Sequence, residues 1–499
     1  MAQAAGRHDG QGIARNTAFQ LAAQVASGAF SAALILFLTR SLSPTSYGVF
    51  ALALGIGGLL MLPADLGISA SAARFVAERR GDPVAVGDVT SQALGPKLAS
   101  SALASAALFA AAGPIASAFG GDELVWPLRG IALAIFGQSA FLFLGGLFLA
   151  QGRADINLRL VAGESSVEVG TTVALVLLGA GGAGAALGRA VGYGVGAVVG
   201  IVLTARLLGR RSIVLRSGEW TPQVLRYAGP LALTNWVTTF LAYIDTVIVG
   251  ALLTTTAVGL VQAPMRIVLL LHYPATALGY VVAPRVARHA HERPNVAAFV
   301  GALRLLVIIY AALVPPLVVW PDPIVQLLFG RDYSESAGVL RALAPFVFLA
   351  GLSPLLAFGA NYLGAARGRL PIALAALVIL VAVDLALVPT VGIVGAPIGL
   401  SLAYVVYVPA HLWLCQRHLR FALRPILATV ARSALAAVAF AAVLLAVGAG
   451  DLSLAGWLVG LAAGTAAFGA VLLVLGETSP RELRAARRTL RRWASRRTL

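Results

Sequence analysis

Residues 68–83 read ISASAARFVAERRGDP, and residues 279–294 read GYVVAPRVARHAHERP. The two stretches align without a gap at an offset of 211 residues, which places Arg74 on Arg285 and Pro83 on Pro294. Each passes from small and apolar residues into a short basic segment, as expected where a membrane helix meets the cytoplasm. A basic segment that follows a membrane helix twice, at a fixed spacing, predicts two copies of one membrane unit.

The composition also indicates a membrane protein. The chain has 499 residues, of which 59% are hydrophobic and 11% charged, and its mean hydropathy is +0.89. Because a soluble protein carries about a quarter charged residues, the excess of apolar residues predicts an integral membrane protein. The single cysteine, Cys415, excludes an intramolecular disulfide and a cysteine-based zinc or iron–sulfur site. The first apolar run is too long for a cleaved signal peptide, so we expect it to remain as a helix.

Apolar runs of about 20 residues predict fourteen transmembrane helices. They cover roughly residues 16–39, 48–72, 97–119, 127–150, 158–180, 187–208, 227–251, 257–283, 297–320, 338–363, 370–391, 395–416, 426–448 and 454–475. The arginines and the one lysine fall unevenly on the alternate sides, 31 on one and 6 on the other. By the positive-inside rule, this asymmetry predicts that both termini are cytoplasmic. Membrane orientation therefore accounts for the net charge of +17 better than nucleic-acid binding does.

The offset of 211 residues extends beyond the basic segments. Pro63 aligns with Pro274 and Gly48 with Gly259, and FLAQGR (148–153) aligns with YLGAAR (362–367) at a slightly larger offset. Chance matching of alanine-rich helices is the alternative explanation. We predict an all-α, polytopic integral membrane protein of about 14 transmembrane helices, with two parallel six-helix repeats and two additional C-terminal helices. The predicted domains are an N-terminal lobe (1–210), a C-terminal lobe (211–416), the two further helices (417–478) and a cytoplasmic tail (479–499).

The stretch LSPTSYGVFALALGIGGLLMLPADLGISASAARFVAE (42–78) resembles the opening of the polysaccharide biosynthesis and export proteins. These are the O-antigen-type flippases of the multidrug/oligosaccharidyl-lipid/polysaccharide exporter superfamily. The features that carry the resemblance are an L-x-P-x-x-Y-G turn at 42–48, the Leu66–Gly67 pair and Arg74; the segment FGRDY (329–333) is similar as well.

The resemblance implies a non-enzymatic flippase of the bacterial cytoplasmic (inner) membrane. Such a protein moves polyprenyl-pyrophosphate-linked oligosaccharides across the membrane by alternating access, for O-antigen or exopolysaccharide synthesis. A glycan polymerase and a chain-length regulator are the protein partners that this implies, beside membrane lipids. We expect no cofactor, no metal and no nucleic-acid partner.

Enzyme motifs are missing from the sequence. The only lysine lies in LGPKLAS (94–100), which is not a phosphate-binding P-loop, and HExxH, CxxC and GxSxG do not occur. Two alternatives stay open: a cation-coupled multidrug exporter of the same superfamily, and an integral membrane glycan polymerase or ligase. The second usually needs a large outer loop, and the longest one here, at about 321–337, is too short to form a domain.

Ionisable residues in membrane helices cost about 2.5–3.5 kcal/mol each, so they mark candidate sites. The candidates for the substrate path are Asp65, Arg74, Arg129, Glu164, Glu168, Asp245, Arg266 and Asp384. Asp245 and Arg266 have similar predicted depths, so they form either a structural ion pair or a site where Arg266 binds substrate phosphate. Glu164 and Glu168 share one helix face, which either lines a cavity or packs in the core.

The other candidates have a structural alternative. Asp65 follows Pro63 closely, so its carboxylate either contributes to the path or satisfies backbone groups freed by a kink. Arg74 is either an interfacial anchor or a residue of the inner mouth, and Arg129 is expected to reach the outer interface. The tail SPRELRAARRTLRRWASRRTL (479–499) predicts a basic amphipathic helix on the anionic inner leaflet, with a partner-docking helix as the alternative.

Overall fold

The structure is a computed structural model that describes residues 2–119, 121–282, 295–450 and 452–477. Every regular element in these ranges is helical. The α-helices are α1 (Ala2–Ser41), α2 (Pro44–Asp65), α3 (Ile68–Glu78), α4 (Pro83–Ala118), α5 (Val125–Ala150), α6 (Ala154–Leu175), α7 (Gly181–Leu208), α8 (Trp220–Leu252), α9 (Thr255–Leu270), α10 (Tyr273–Val282), α11 (Val296–Val319), α12 (Pro321–Phe329), α13 (Ser336–Ala342), α14 (Ala344–Tyr362), α15 (Ala366–Val391), α16 (Gly395–Leu419), α17 (Arg424–Val447) and α18 (Leu454–Val474). The predicted all-α fold class is confirmed.

Twelve helical segments in the described ranges are long and apolar enough to cross a membrane. Two of them, Ala154–Leu208 and Ala366–Leu419, have 55 and 54 residues. At 1.5 Å per residue each would be about 80 Å long, against a hydrocarbon thickness of about 30 Å. The first breaks at Gly179 and Gly181, whose φ angles are 88° and 52°, and the second at Gly392, whose φ is 67°. Each therefore contains two spans, which agrees with the prediction of about 14 transmembrane helices.

Two helices are interrupted near the repeated prolines. The predicted span 48–72 is divided into α2 and α3 at Leu66 and Gly67, which have φ angles of 49° and 77°. Pro63 lies in the last turn of α2, where its ring and missing N–H weaken the helix. In the second copy, α9 ends at Leu270 and Pro274 lies at the start of α10.

The contact between α2 and α9 reflects the sequence repeat directly. Gly48 and Gly259 face each other, and a Cβ on either would collide with the backbone of the opposite helix. The hydroxyl groups of Thr45 and Thr256, which are separated by the same 211 residues, lie 2.8 Å apart. A reciprocal contact of this kind is what a two-fold relation between two copies produces. It supports the predicted repeat, while the lobe boundaries 1–210 and 211–416 stay a prediction.

The helices group into two compact units, Met1–Tyr273 with Ala373–Ala403 and Pro274–Ile372 with Tyr404–Leu499. In the second unit, Trp320 is fully buried among α11, α17 and α18 and donates from Nε1 to the carbonyl of Gly448 at 2.8 Å. At the end of α18, the carboxylate of Glu477 accepts hydrogen bonds from Arg304 at 2.6 Å and from Arg432 at 2.8 Å. These contacts fix the last membrane helix to its neighbours within the unit.

Candidate functional site

A cavity of about 230 Å³ lies within the first unit, between α1, α2, α6, α7 and α9. Its charged wall consists of Glu168, Arg189 and Arg266. Tyr47, Ser31 and Ser165 add hydroxyl groups, and the other lining residues are mainly apolar. Two predicted site residues, Glu168 and Arg266, therefore meet at one cavity.

Close packing of α6 against α7 creates the acidic side of this site. Every fourth residue from Gly184 to Gly200 in α7 is a glycine, and a Cβ at three of them would collide with α6. Those three are Gly188 against Thr172, Gly192 against Glu168 and Gly196 against Glu164. Small residues at this spacing allow membrane helices to approach closely. As a result Glu164 and Glu168 are buried, at 5% and 8% exposure.

Arg189 is the functional candidate that the sequence analysis missed. Its Nη1 donates to Oε1 of Glu168 at 2.7 Å, and its Nη2 donates to the hydroxyl of Tyr193 at 3.2 Å. The predicted span 187–208 contains Arg189, but its charge was counted only toward membrane orientation. One signal could have found it. Glu168 lies eleven residues before Gly179 and Arg189 ten residues after it, so a helical hairpin turning there brings them to the same depth.

Arg266 lies on α9 and is partly exposed in the cavity. Within the described residues, no ion pair within 4.0 Å joins it to Asp245 or to any other carboxylate. Asp245 instead accepts from the backbone N–H of Thr246 at 2.7 Å and from its hydroxyl at 3.2 Å. The ion pair that was one of the two predicted arrangements of Asp245 and Arg266 is therefore not formed in this structure, and their role in the substrate path stays a prediction.

Two buried carboxylates have at least one oxygen without a hydrogen-bond partner in the part of the chain that the structure describes. Glu164 accepts from the hydroxyl of Ser165 at 3.1 Å through Oε2, but its Oε1 has no partner. Asp384 on α15 is fully buried, and neither of its carboxylate oxygens has a partner. Gly399 on α16 packs against Asp384 so closely that a Cβ would overlap its carboxylate. Neither Glu164 nor Asp384 lines the cavity.

Asp65 belongs to a separate polar cluster at the break between α2 and α3. It forms an ion pair with Lys97, the only lysine of the chain, whose side chain is 1% exposed. Lys97 Nζ also donates to the carbonyl of Ala64 at 3.4 Å, as do the hydroxyl groups of Ser100 at 3.0 Å and Ser139 at 3.2 Å. The helix that contains the predicted span 97–119 begins earlier, because α4 starts at Pro83 and buries Lys97.

Comparisons with known proteins identify the family. The model of the family described as polysaccharide biosynthesis protein matches residues 13–289, which is more than half of the chain. The chain belongs to the polysaccharide biosynthesis protein family. The resemblance seen at residues 42–78 is thereby confirmed. Comparison with curated protein sequences gives no significant match.

Solved structures show that this family member has the fold of known membrane transporters. The lipid II flippase MurJ, in an inward closed conformation, matches with a TM-score of 0.71 at 14% identity, covering 92% of this chain and 99% of that one. The MATE multidrug transporter DinF-BH matches with a TM-score of 0.62 at 15% identity, covering 83% and 97%. An inward-facing MATE family transporter of the MOP superfamily gives 0.56 at 16% identity, covering 80% and 94%. The chain is therefore a multi-pass membrane protein with this fold.

The family-like turn at 42–48 contributes to the cavity and to the helix crossing. Ser43 caps α2 through its hydroxyl, and Pro44 begins the helix. Tyr47 then lines the cavity, and Gly48 forms the crossing with α9. In the segment 329–333, Gly330 has a φ of 97° and Tyr333 is fully buried, so that motif is structural.

The last two predicted site residues, Arg74 and Arg129, do not line the cavity. Arg74 is exposed at the end of α3, where it donates to Glu78 at 2.9 Å and stacks 4.2 Å above the ring of Tyr227. The hydrogen bond between them raises the pKa of Arg74 and lowers that of Glu78. Arg129 packs against the rings of Phe109 and Trp126, both at 5.2 Å. Both arginines fit the role of interface anchors.

Some of the sequence predictions fall outside the described residues. They are the basic segment at 285–293 and the amphipathic tail at 479–499. Among the described residues, no group of three or more His, Cys, Asp and Glu side chains is placed to hold a metal ion.

Proposed function

We propose that this protein is a flippase of the bacterial cytoplasmic membrane that moves polyprenyl-pyrophosphate-linked oligosaccharides by alternating access, with both termini in the cytoplasm. The cavity that contains Arg189 and Arg266 is the observation that carries the proposal. Membership in the polysaccharide biosynthesis family and the fold shared with a lipid II flippase support it. The protein acts as a transporter in surface polysaccharide synthesis, alongside a glycan polymerase and a chain-length regulator, and not as an enzyme.

In this proposal the cavity binds the phosphate end of the substrate. Guanidinium groups match phosphate oxygens bidentately, and Arg266 has no carboxylate within 4.0 Å in the described residues. Glu168 holds Arg189 in place at 2.7 Å, so the second guanidinium is oriented before the substrate arrives. At about 230 Å³ the cavity is below the usual 300–1,000 Å³ of drug-sized ligands, which fits a phosphate group better than a whole glycan.

Variants with substituted arginines, expressed in a strain that lacks the chromosomal gene, test the proposal. We expect Arg266→Ala and Arg189→Ala to abolish surface glycan at normal protein levels, and Arg266→Lys to restore part of it. Arg331→Ala, which changes an exposed arginine that is not among the residues lining the cavity, is the matched control and should leave surface glycan unchanged. Normal glycan in both alanine variants would remove the cavity from the substrate path.

A second candidate function is the cation-coupled export of drugs. The buried carboxylates Glu164, Asp245 and Asp384 favour it, because carboxylates attract cationic cargo, and MATE transporters share the fold. Under this alternative, overexpression would raise resistance to cationic dyes while a deletion strain kept normal surface glycan. Shortened glycan chains in the deletion strain would instead indicate a polymerase.

A further inference from the structure

The segment that joins α7 to α8 is strongly basic. It reads GRRSIVLRSGE over residues 209–219 and is flanked by Arg206 at the end of α7 and Arg226 near the start of α8. It begins at Gly209 with a φ of 85°, forms one 3₁₀ turn over Arg210–Ile213 and leaves that turn at Val214 with extended backbone. We call residues 206–226 the α7–α8 linker surface.

This surface is fixed to the start of α4. Arg216 forms an ion pair with Asp88 and donates from Nε to the hydroxyl of Ser91 at 2.9 Å. The backbone N–H of Trp220 donates to Oε1 of Gln92 at 2.8 Å. Side chains of α4 thus hold both the middle and the end of the linker. Its shape is therefore set by tertiary contacts.

The exposed side of the linker surface combines charged and apolar side chains. Val214 and Leu215 are 55% and 57% exposed. Four arginines of the linker surface are also exposed, and within the described residues none has a carboxylate within 4.0 Å; these are Arg206, Arg210, Arg211 and Arg226. The one exposed acid within the linker is Glu219. The surface is thus positively charged and has no internal counter-charge for most of its arginines.

Its place in the chain puts this surface at a membrane face. The linker connects two membrane helices over a short distance, so it lies where both leave the hydrocarbon. Exposed apolar side chains between arginines suit the boundary between acyl chains and phosphates. We infer that the α7–α8 linker surface binds the head groups of anionic phospholipids, with Val214 and Leu215 against the acyl chains and the arginines on the phosphates.

Hydrogen exchange of the full-length protein tests this inference locally. We expect the amides of residues 209–219 to be better protected in nanodiscs containing phosphatidylglycerol than in phosphatidylcholine nanodiscs. Each arginine near an anionic surface adds about 1 kcal/mol, or roughly fivefold in affinity. Arg210→Gln with Arg211→Gln should therefore weaken phosphatidylglycerol binding about 25-fold and remove the extra protection. The control Arg331→Gln should change neither.

Three results would overturn the inference. One is equal protection of the linker in both lipids, and another is unchanged phosphatidylglycerol binding in the double variant. The third is displacement of the lipid by inorganic phosphate at equal concentration, which would indicate a site for soluble phosphates. Because none of these measurements reports glycan transport, the outcome is independent of the proposed function.

Discussion

The ion pair of Asp65 with Lys97 predicts an unequal response to substitution of its two partners. The side chain of Lys97 is 1% exposed, whereas that of Asp65 is 28% exposed. Asp65→Asn leaves a buried ammonium without a counter-charge, because its acceptors are then the neutral amide oxygen at position 65 and the carbonyl of Ala64 at 3.4 Å. Removing one partner of a buried pair costs about 3–5 kcal/mol. We expect a loss of this size in the free energy of unfolding.

Lys97→Met should cost less, about 1–2 kcal/mol. The carboxylate of Asp65 is 28% exposed, and it keeps hydrogen bonds from the hydroxyl of Ser69 and from the N–H of Gly67 at 3.2 Å. The double variant removes both charges and should lie within about 2 kcal/mol of the wild type, because apolar replacement of a buried pair is often nearly neutral.

Reversible unfolding in mixed detergent micelles, with increasing denaturing detergent, measures these differences. The matched control is Ser100→Ala, which removes one of three donors to the carbonyl of Ala64 and should cost about 1 kcal/mol or less. The reasoning is refuted if Lys97→Met is as damaging as Asp65→Asn, or if the double variant loses the sum of the two single effects.

Three further predictions concern the fold. Gly48→Ala should destabilise by about 1–3 kcal/mol or prevent folding, because its Cβ meets the α9 backbone, whereas Gly146→Ala, with open space around it, should be neutral or stabilising in the same unfolding assay. Burial alone would raise the pKa of Glu477, but hydrogen bonds from Thr429 and the arginines outweigh it and lower the pKa. The stability that this carboxylate contributes is therefore present above its ordinary pKa and lost as the pH falls below it; Glu477→Gln should remove that pH dependence from thermal unfolding curves. Arg74→Ala should change stability by at most about 1 kcal/mol, since its pair with Glu78 is exposed, and a larger drop in melting temperature would indicate a buried role.

The sequence predicted the membrane fold because lipid imposes strong constraints on a chain. Long apolar runs, uneven arginines and the repeat at 211 residues all follow from those constraints. The reciprocal approach of Gly48 and Gly259 explains why glycine occurs at both positions. The helix limits were less predictable. Lys97 lies well inside α4, because Asp65 and the carbonyl of Ala64 stabilise it there and hydropathy does not register such partners.

The sequence predicted only part of the candidate site, because it does not show which side chains are in contact. Depth along a span identified Glu168 and Arg266 as candidates, but depth alone does not determine which side chains meet. Asp245 and Arg266 have similar predicted depths, yet Asp245 accepts from the hydroxyl and the N–H of Thr246 and forms no ion pair with Arg266. Arg189 was missed because its charge was assigned to membrane orientation. The register of the α6–α7 hairpin pairs it with Glu168.

The sign of the charge among the residues that line the cavity bears on the choice between the two candidate functions. The candidate residues mix acids and bases, so their sequence positions favour neither an anionic nor a cationic cargo. Two ion pairs cancel part of this charge. Lys97 neutralises Asp65, which does not line the cavity, and Arg189 neutralises Glu168 on the cavity wall. Arg266 then leaves an excess positive charge among the lining residues. Since a cationic drug would be repelled there and a phosphate attracted, the cavity favours the flippase proposal over drug export.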